Sequence, residues 1–312
     1  MNHETISKAR DTLKHIPVFD GIDAGSVDIE RLGGLTNLVF RIGFGDDAWC
    51  LRLPGAGTEE YIDRANEAQA AREAARAGVS PEVLYADPDS GIMVTRFIEG
   101  TETMTPDAFK TRTGAPGRAG KAFRKLHASD ATFNFRFELF AMIDDYLGIL
   151  SGKTVDLPDG YHDVLEESEI VRRALNAHPL PGSACHCDPL CENFLDTGDR
   201  MWIVDWEYSG MNDPMWDLGD LSVEAGMDSV QDEEMIRAYF GGDPRPYERG
   251  RIVIYKAMCD LLWTLWGLIQ HANNNPAEDF WAYSTGRFAR CKALMATADF
   301  PRHVAAVAHG PP

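Results

Sequence analysis

His186, Asp188 and Asn193 share one short stretch, H-x-D-x-x-x-x-N, and Asp205 closes the apolar run Trp202-Ile203-Val204 a little further on. Asp188 and Asn193 sit on one loop, and Asp205 returns from a hairpin behind it, so two carboxylates and an amide converge. Phosphoryl transfer is the chemistry that uses such a set. Asp188 is placed to accept the proton of an attacking hydroxyl. Asn193 and Asp205 offer oxygens to Mg²⁺, a hard cation held by one or two carboxylates together with phosphates and waters.

Protein kinases write this geometry as H-R-D-x-x-x-x-N followed by a strand-end Asp. Here Cys187 stands at the Arg position, and Asp205-Trp206-Glu207 replaces D-F-G. The run VDWEYSGMNDPMWDLGDLSVE resembles the second signature of the choline/ethanolamine kinase family, relatives of the aminoglycoside phosphotransferases within the protein-kinase-like fold. The likeness extends from Leu32 to Leu294. It implies an α+β, two-lobed protein-kinase-like fold. A small N-terminal lobe with an antiparallel sheet, residues 1–98, would bind the nucleotide. A larger, mainly helical lobe, residues 99–312, would carry the catalytic loop and the acceptor site. It implies ATP as co-substrate, Mg²⁺ as the metal, and a small cationic alcohol, choline or ethanolamine, as acceptor. Asp217, the third acid of the signature, would accept hydrogen bonds from the catalytic-loop backbone, with His186 supporting the same loop. Asp213 and Asp220 read as turn and helix-surface residues.

The elements that must position these groups follow from periodicity. A helix is expected from Thr5 to His15, with strands at 28–32, 38–44 and 48–53 and a hairpin turn at Gly45-Asp46-Asp47. Gly33-Gly34-Leu35-Thr36-Asn37 links the first two strands. Glycines there let backbone N–H groups approach phosphates, and an ordinary hairpin turn is the alternative. The match to the family's GG-x-[ST]-N assigns Gly33, Gly34, Thr36 and Asn37 to the nucleotide. Arg52 lies between Leu51 and Leu53 on the third strand; the resemblance makes it the phosphate-gripping cation, paired with Glu67 on a helix running from an N-cap at Thr58 to Ala77. Strands at 82–86 and 92–98 complete the lobe, and the chain leaves it through Phe97 and Ile98. There the adenine would bond backbone groups, and the role of Arg96 stays open.

Beyond that switch the pattern is helical, with helices at 116–129, 137–150 and 162–177 and two long ones at 249–272 and 277–298. Trp263 and Trp266, three apart, share one helix face, a spacing equally suited to core packing. The resemblance makes them an aromatic box for choline, completed by Tyr283. Glu224 is either a counter-charge there or a surface helix residue.

Composition narrows the alternatives. The net charge of −19 repels nucleic acid and anionic membranes and attracts a cation. The N-terminus lacks the apolar core of a signal peptide, and the longest strongly apolar run, Leu261–Ile269, is short for a bilayer span, so a cytoplasmic protein without membrane insertion is expected. The six cysteines then read as reduced thiols, and Cys185, Cys187 and Cys191 lack zinc-knuckle spacing. A homodimer stays open. A protein kinase is disfavoured by the missing G-x-G-x-x-G and A-P-E runs, and a pseudokinase by the retention of Asp188, Asn193 and Asp205. A sibling small-molecule kinase, acting on an aminoglycoside or thiamine, is the nearest alternative; paired Trp argue for a quaternary amine over an aminoglycoside.

Overall fold

The computed structural model describes residues 2–33, 37–55 and 62–311. Helix α1 (Asn2–Leu13) and a 3-10 turn at Pro17–Phe19 precede β1 (Asp28–Gly33), β2 (Asn37–Phe44) and β3 (Asp47–Pro54). After α2 (Arg64–Arg76) come β4 (Val83–Ala86) and β5 (Met93–Arg96), and the five strands form one antiparallel sheet in the order β1-β2-β3-β5-β4.

Alternation along β3 decides which face does what. Trp49, Leu51 and Leu53 are buried in an apolar cluster with Ala9, Leu13, Ile16 and Phe19, so α1 and the 3-10 turn cover that face. Arg52, between two of those residues, therefore points the other way, toward α2. The helix expected from Thr58 is described only from Arg64. Asp63 caps it there, accepting from the backbone N–H of Ala65 and Asn66 at 3.0 Å each; Thr58 lies outside the described residues.

The rest is mainly helical. In order come β6 (Glu102–Thr103), α3 (Pro106–Thr111), α4 (Ala115–His127), α5 (Leu139–Ser151) and α6 (Tyr161–Ala177). Four short strands follow: β7 (Ser183–Cys185), β8 (Phe194–Asp196), β9 (Met201–Ile203) and β10 (Gly210–Asn212). They build the small sheets β6-β8-β9 and β10-β7. The chain closes with α7 (Met215–Glu224), α8 (Ser229–Phe240), α9 (Pro246–Ala272), α10 (Phe280–Met295) and α11 (Phe300–His309). The last expected helix, 277–298, is α10 alone, and α11 beyond it, with Pro301 in its first turn, was not expected.

Helix α9 packs against α5, α7, α10 and α11 and forms the axis of a second, larger apolar cluster. Contrary to the expectation from Leu261–Ile269, α9 is long and apolar enough to cross a membrane by length and composition; 78% of its most apolar window is buried inside the protein, as in a core helix.

Candidate active site

The loop carrying His186, Asp188 and Asn193 leaves β7 and is held by the start of α7. Asp217, fully buried in the first turn of α7, accepts from the backbone N–H of His186 at 2.7 Å and of Cys187 at 2.9 Å. His127, at the end of α4, reaches the same carboxylate at 3.0 Å. The Trp216 indole N–H donates to the Cys187 carbonyl at 3.0 Å. These bonds hold Cys187 at φ +68°, a left-handed backbone that costs a non-glycine residue roughly 1–3 kcal/mol. The loop is thereby bent so that Asp188 comes near Glu224, Asp205 and Arg287. Burial keeps the His186 imidazole below its usual pKa, and its Nε2 lies 2.9 Å from the Val204 carbonyl. That bond ties the loop to the segment delivering Asp205.

Asn193 completes the register. Its side-chain N–H donates to the Asp188 carbonyl at 3.1 Å, so its amide oxygen is the atom left to a ligand. The Val204 backbone N–H donates to the Asn193 carbonyl at 2.9 Å, which sets Asn193 beside Asp205. Asp205 too is left-handed, at φ +67°.

A charged cluster connects this pair to the sheet. Arg52 pairs with Glu67 and, at 3.0 Å, with Asp205. Arg64, on α2, lies 2.8 Å from Glu67 and 3.0 Å from Glu207. Glu207 also accepts from the Asn37 amide at 2.8 Å. Oxygens of Glu67, Asp205 and Glu207 lie within 4.8 Å of one another. Three carboxylates face two guanidiniums, and the surplus raises carboxyl pKa values. Burial, then Asp205 and Glu67, push Glu207 up to about 7, and burial also raises Asp205. Hard oxygen donors with an uncompensated negative charge fit a divalent cation of the Mg²⁺ type.

Arg64 and Glu207 were not among the residues expected here, though both left a trace in the sequence. Glu207 is the third residue of the D-W-E triplet, and Arg64 stands one helical turn before Glu67. Gly34 and Thr36 lie outside the described residues; Gly33 ends β1 and Asn37 opens β2. Phe97 and Ile98 follow β5, the Phe97 backbone N–H donating to Ala48 at 3.2 Å and its ring lying 5.2 Å beneath the Arg41 guanidinium.

On the other side of Asp188 stands an aromatic wall. Trp263 is buried, edge-on to Tyr208 at 5.7 Å, and Tyr208 has Trp266 as a side-chain hydrogen-bond partner. Trp266 is half-buried and stands edge-on to Tyr283 at 5.9 Å and to Phe280 at 5.6 Å. The two indoles are therefore not equivalent. Trp263 is a core residue whose N–H donates to Asp220 at 3.3 Å, and Asp220 is fully buried rather than at a helix surface. Asp213, read as a turn residue, pairs with buried Arg251 and accepts from the Tyr255 hydroxyl at 3.0 Å.

Glu224 is neither a free counter-charge nor a surface group. It pairs with Arg287, which also reaches Asp260 at 3.1 Å and lies 4.6 Å over the Tyr283 ring. Arg287 and Tyr208 were missed: a lone Arg four residues after Tyr283 carries no motif, and Tyr208 is hidden inside a signature read for its acids. Burial, then Glu224 and Asp205, push the Asp188 carboxyl up to about 8, against the pull of Arg287.

The sequence model of the phosphotransferase enzyme family matches residues 28–253. The crystal structure of a choline/ethanolamine kinase family protein from Mesorhizobium loti is 68% identical over 97% of this chain and 99% of its own, with a TM-score of 0.90. That of choline kinase LicA from Streptococcus pneumoniae is 26% identical over 89% of this chain and 97% of its own, with a TM-score of 0.72. A structure of LicA in complex with AMP is 27% identical over 86% of this chain and 92% of its own, with a TM-score of 0.70.

Proposed function

The chain belongs to the choline/ethanolamine kinase family of phosphotransferase enzymes, and from that premise we propose that it transfers the γ-phosphoryl group of ATP to the hydroxyl of choline, with ethanolamine as the weaker acceptor. The observation that carries the choice of acceptor is the aromatic wall beside Asp188. A quaternary ammonium donates no strong hydrogen bond, so it is held by ring faces and diffuse negative charge. Tyr208, Trp266 and Tyr283 supply the rings, and Asp188 the charge once ionised.

Asp188 accepts the hydroxyl proton as the oxygen forms its bond to the γ-phosphorus and the bond to the β-phosphate oxygen breaks, releasing ADP. Arg52 grips the phosphates, oriented by Glu67. Asn193 and Asp205 are the residues that would hold Mg²⁺, which when bound neutralises phosphate charge. Asp217 and His186 keep the loop bent. Gly33, at the end of β1, and Asn37, at the start of β2, are the described residues of the phosphate-binding turn in this reading. The backbone at Phe97 and Ile98 meets the adenine. We place the reaction in the cytoplasm, where ATP is supplied.

The test is ADP release measured against a panel of choline, ethanolamine and an aminoglycoside. Choline should give the highest kcat/KM. Release with none of the amino alcohols would overturn the acceptor assignment.

A further inference from the structure

Behind the hinge is an open pocket of about 590 Å³, which shares only Ile98 with the residues assigned to the active site. Its wall is drawn from several elements: Arg72 and Arg76 come from α2, Arg96 from the end of β5 and Ile98 from the hinge after it, Lys125 from α4, and Arg200 and Trp202 from β9 and the turn before it. Five of its lining side chains are cations, and Glu82 is the one carboxylate. That is the reverse of the chain as a whole, where 49 acids outnumber 30 lysines and arginines.

The cations are not all spent on neighbours. Arg76 is neutralised by Glu73 and Asp130, and Arg96 pairs with Glu82 at 3.2 Å. Arg72 and Lys125 make no ion pair among the described residues, and the one carboxylate that bears on Arg200 is that of exposed Asp199. The Gly78 carbonyl accepts from both Lys125 and Arg200, at 2.7 Å each, and the Ala86 carbonyl accepts from Arg72 at 3.4 Å. The Arg200 guanidinium is stacked 3.5 Å from the centroid of the Trp202 ring, which fixes its donors in place, and burial lowers its pKa. Such a site is short of one compact anion.

We propose that this cavity is a binding site for a small phosphate-bearing molecule, held between Arg72 on one side and Lys125 and Arg200 on the other. Planar and point-charge donors together match phosphate oxygens. The volume lies in the range of small-ligand sites. A nucleic acid or an anionic membrane is the poorer partner, because the net charge of −19 repels an extended polyanion. An occupant would bridge the two halves of the molecule and touch Arg96 and Ile98, so it would bear on the hinge from behind.

The experiment is a phosphorus NMR titration of the full chain, its nucleotide site filled with Mg²⁺ and a non-hydrolysable ATP analogue. The probes are inorganic phosphate and phosphocholine. The variant is Arg72→Ala/Lys125→Ala; both side chains are exposed, so the fold is retained. Wild type should bind at millimolar concentration, weakening with salt, and the double variant should bind at least about ten-fold more weakly. A difference between variant and wild type seen with phosphocholine alone makes the occupant a phosphate ester; one of equal size with inorganic phosphate makes phosphate itself sufficient. No binding to wild type, or equal binding by the variant with both probes, overturns the proposal.

Discussion

As the proposed general base, Asp188 meets two demands that pull against each other. Its carboxylate must be ionised to take a proton, yet burial and neighbouring acids hold its pKa up at about 8. A cationic acceptor and the metal bring positive charge, which favours the ionised form. The acid limb of kcat should therefore lie at lower pH than that of kcat/KM for choline, because the two report bound and unbound states of the acceptor site. Coincident limbs would show that the substrate's charge does not reach Asp188. Asp188→Asn should lose about 10² to 10⁴ in kcat, the usual worth of a general base. Turnover near wild type would remove Asp188 from that role. The two indoles should separate in the same assays. Trp266→Ala should raise KM for choline about ten-fold with KM for ATP unmoved, since one lost ring face is worth about 1.4 kcal/mol. Trp263→Ala should instead cost stability, about 3–5 kcal/mol as for other large core truncations. If both variants stay stable and keep their choline KM, neither ring touches the acceptor.

The elements bring these residues to a point by close approach. Helix α9 presents Trp263 and Trp266, α10 presents Tyr283, and Gly267 lets the two helices touch. A Cβ at Gly267 would lie 2.6 Å from Tyr283 Cδ1, so nothing larger than glycine fits without moving α10. Gly267→Ala should destabilise the protein by about 1–3 kcal/mol through overpacking, and raise KM for choline more than KM for ATP. Equal changes in both would mean that Tyr283 does not belong to the acceptor site. This contact also marks what the sequence could disclose. Motif spacing pointed to Asp188, Asn193, Asp205 and Asp217 because they are near one another along the chain. Period-two alternation was enough to put Arg52 on the sheet face opposite Leu51 and Leu53. The pairing of Glu224 was not legible because its partner, Arg287, comes from another helix, and Asp220 was misplaced at a surface because its partner is the Trp263 indole on α9. Pairings across packed helices depend on how the helices cross, and no local pattern records that.

At the scale of the whole molecule, the site is a store of negative charge kept against its cost. Asp188 at about 8 and Glu207 at about 7 both lie well above the ordinary carboxylate range near 4. A carboxyl whose folded pKa is raised favours the folded state most when protonated. Its contribution is fully present below pH about 4 and is lost as pH rises through the folded value. The ligand-free protein should therefore lose stability between pH about 5 and 8, in the same direction as repulsion within a chain of net charge −19. Neutral isosteres separate the two effects. Asp188→Asn and Glu207→Gln should each raise Tm by several degrees at pH 8 and change it little at pH 5, on the usual scale of a few degrees per kcal/mol. Mg·ATP should narrow the gap at pH 8, because bound cationic charge stabilises the wild-type carboxylates more than the neutral variants. The measurement is Tm for wild type and both variants at the two pH values, with and without Mg·ATP. A gap of the same size at pH 5 and pH 8 would show that packing, and not stored charge, sets the difference.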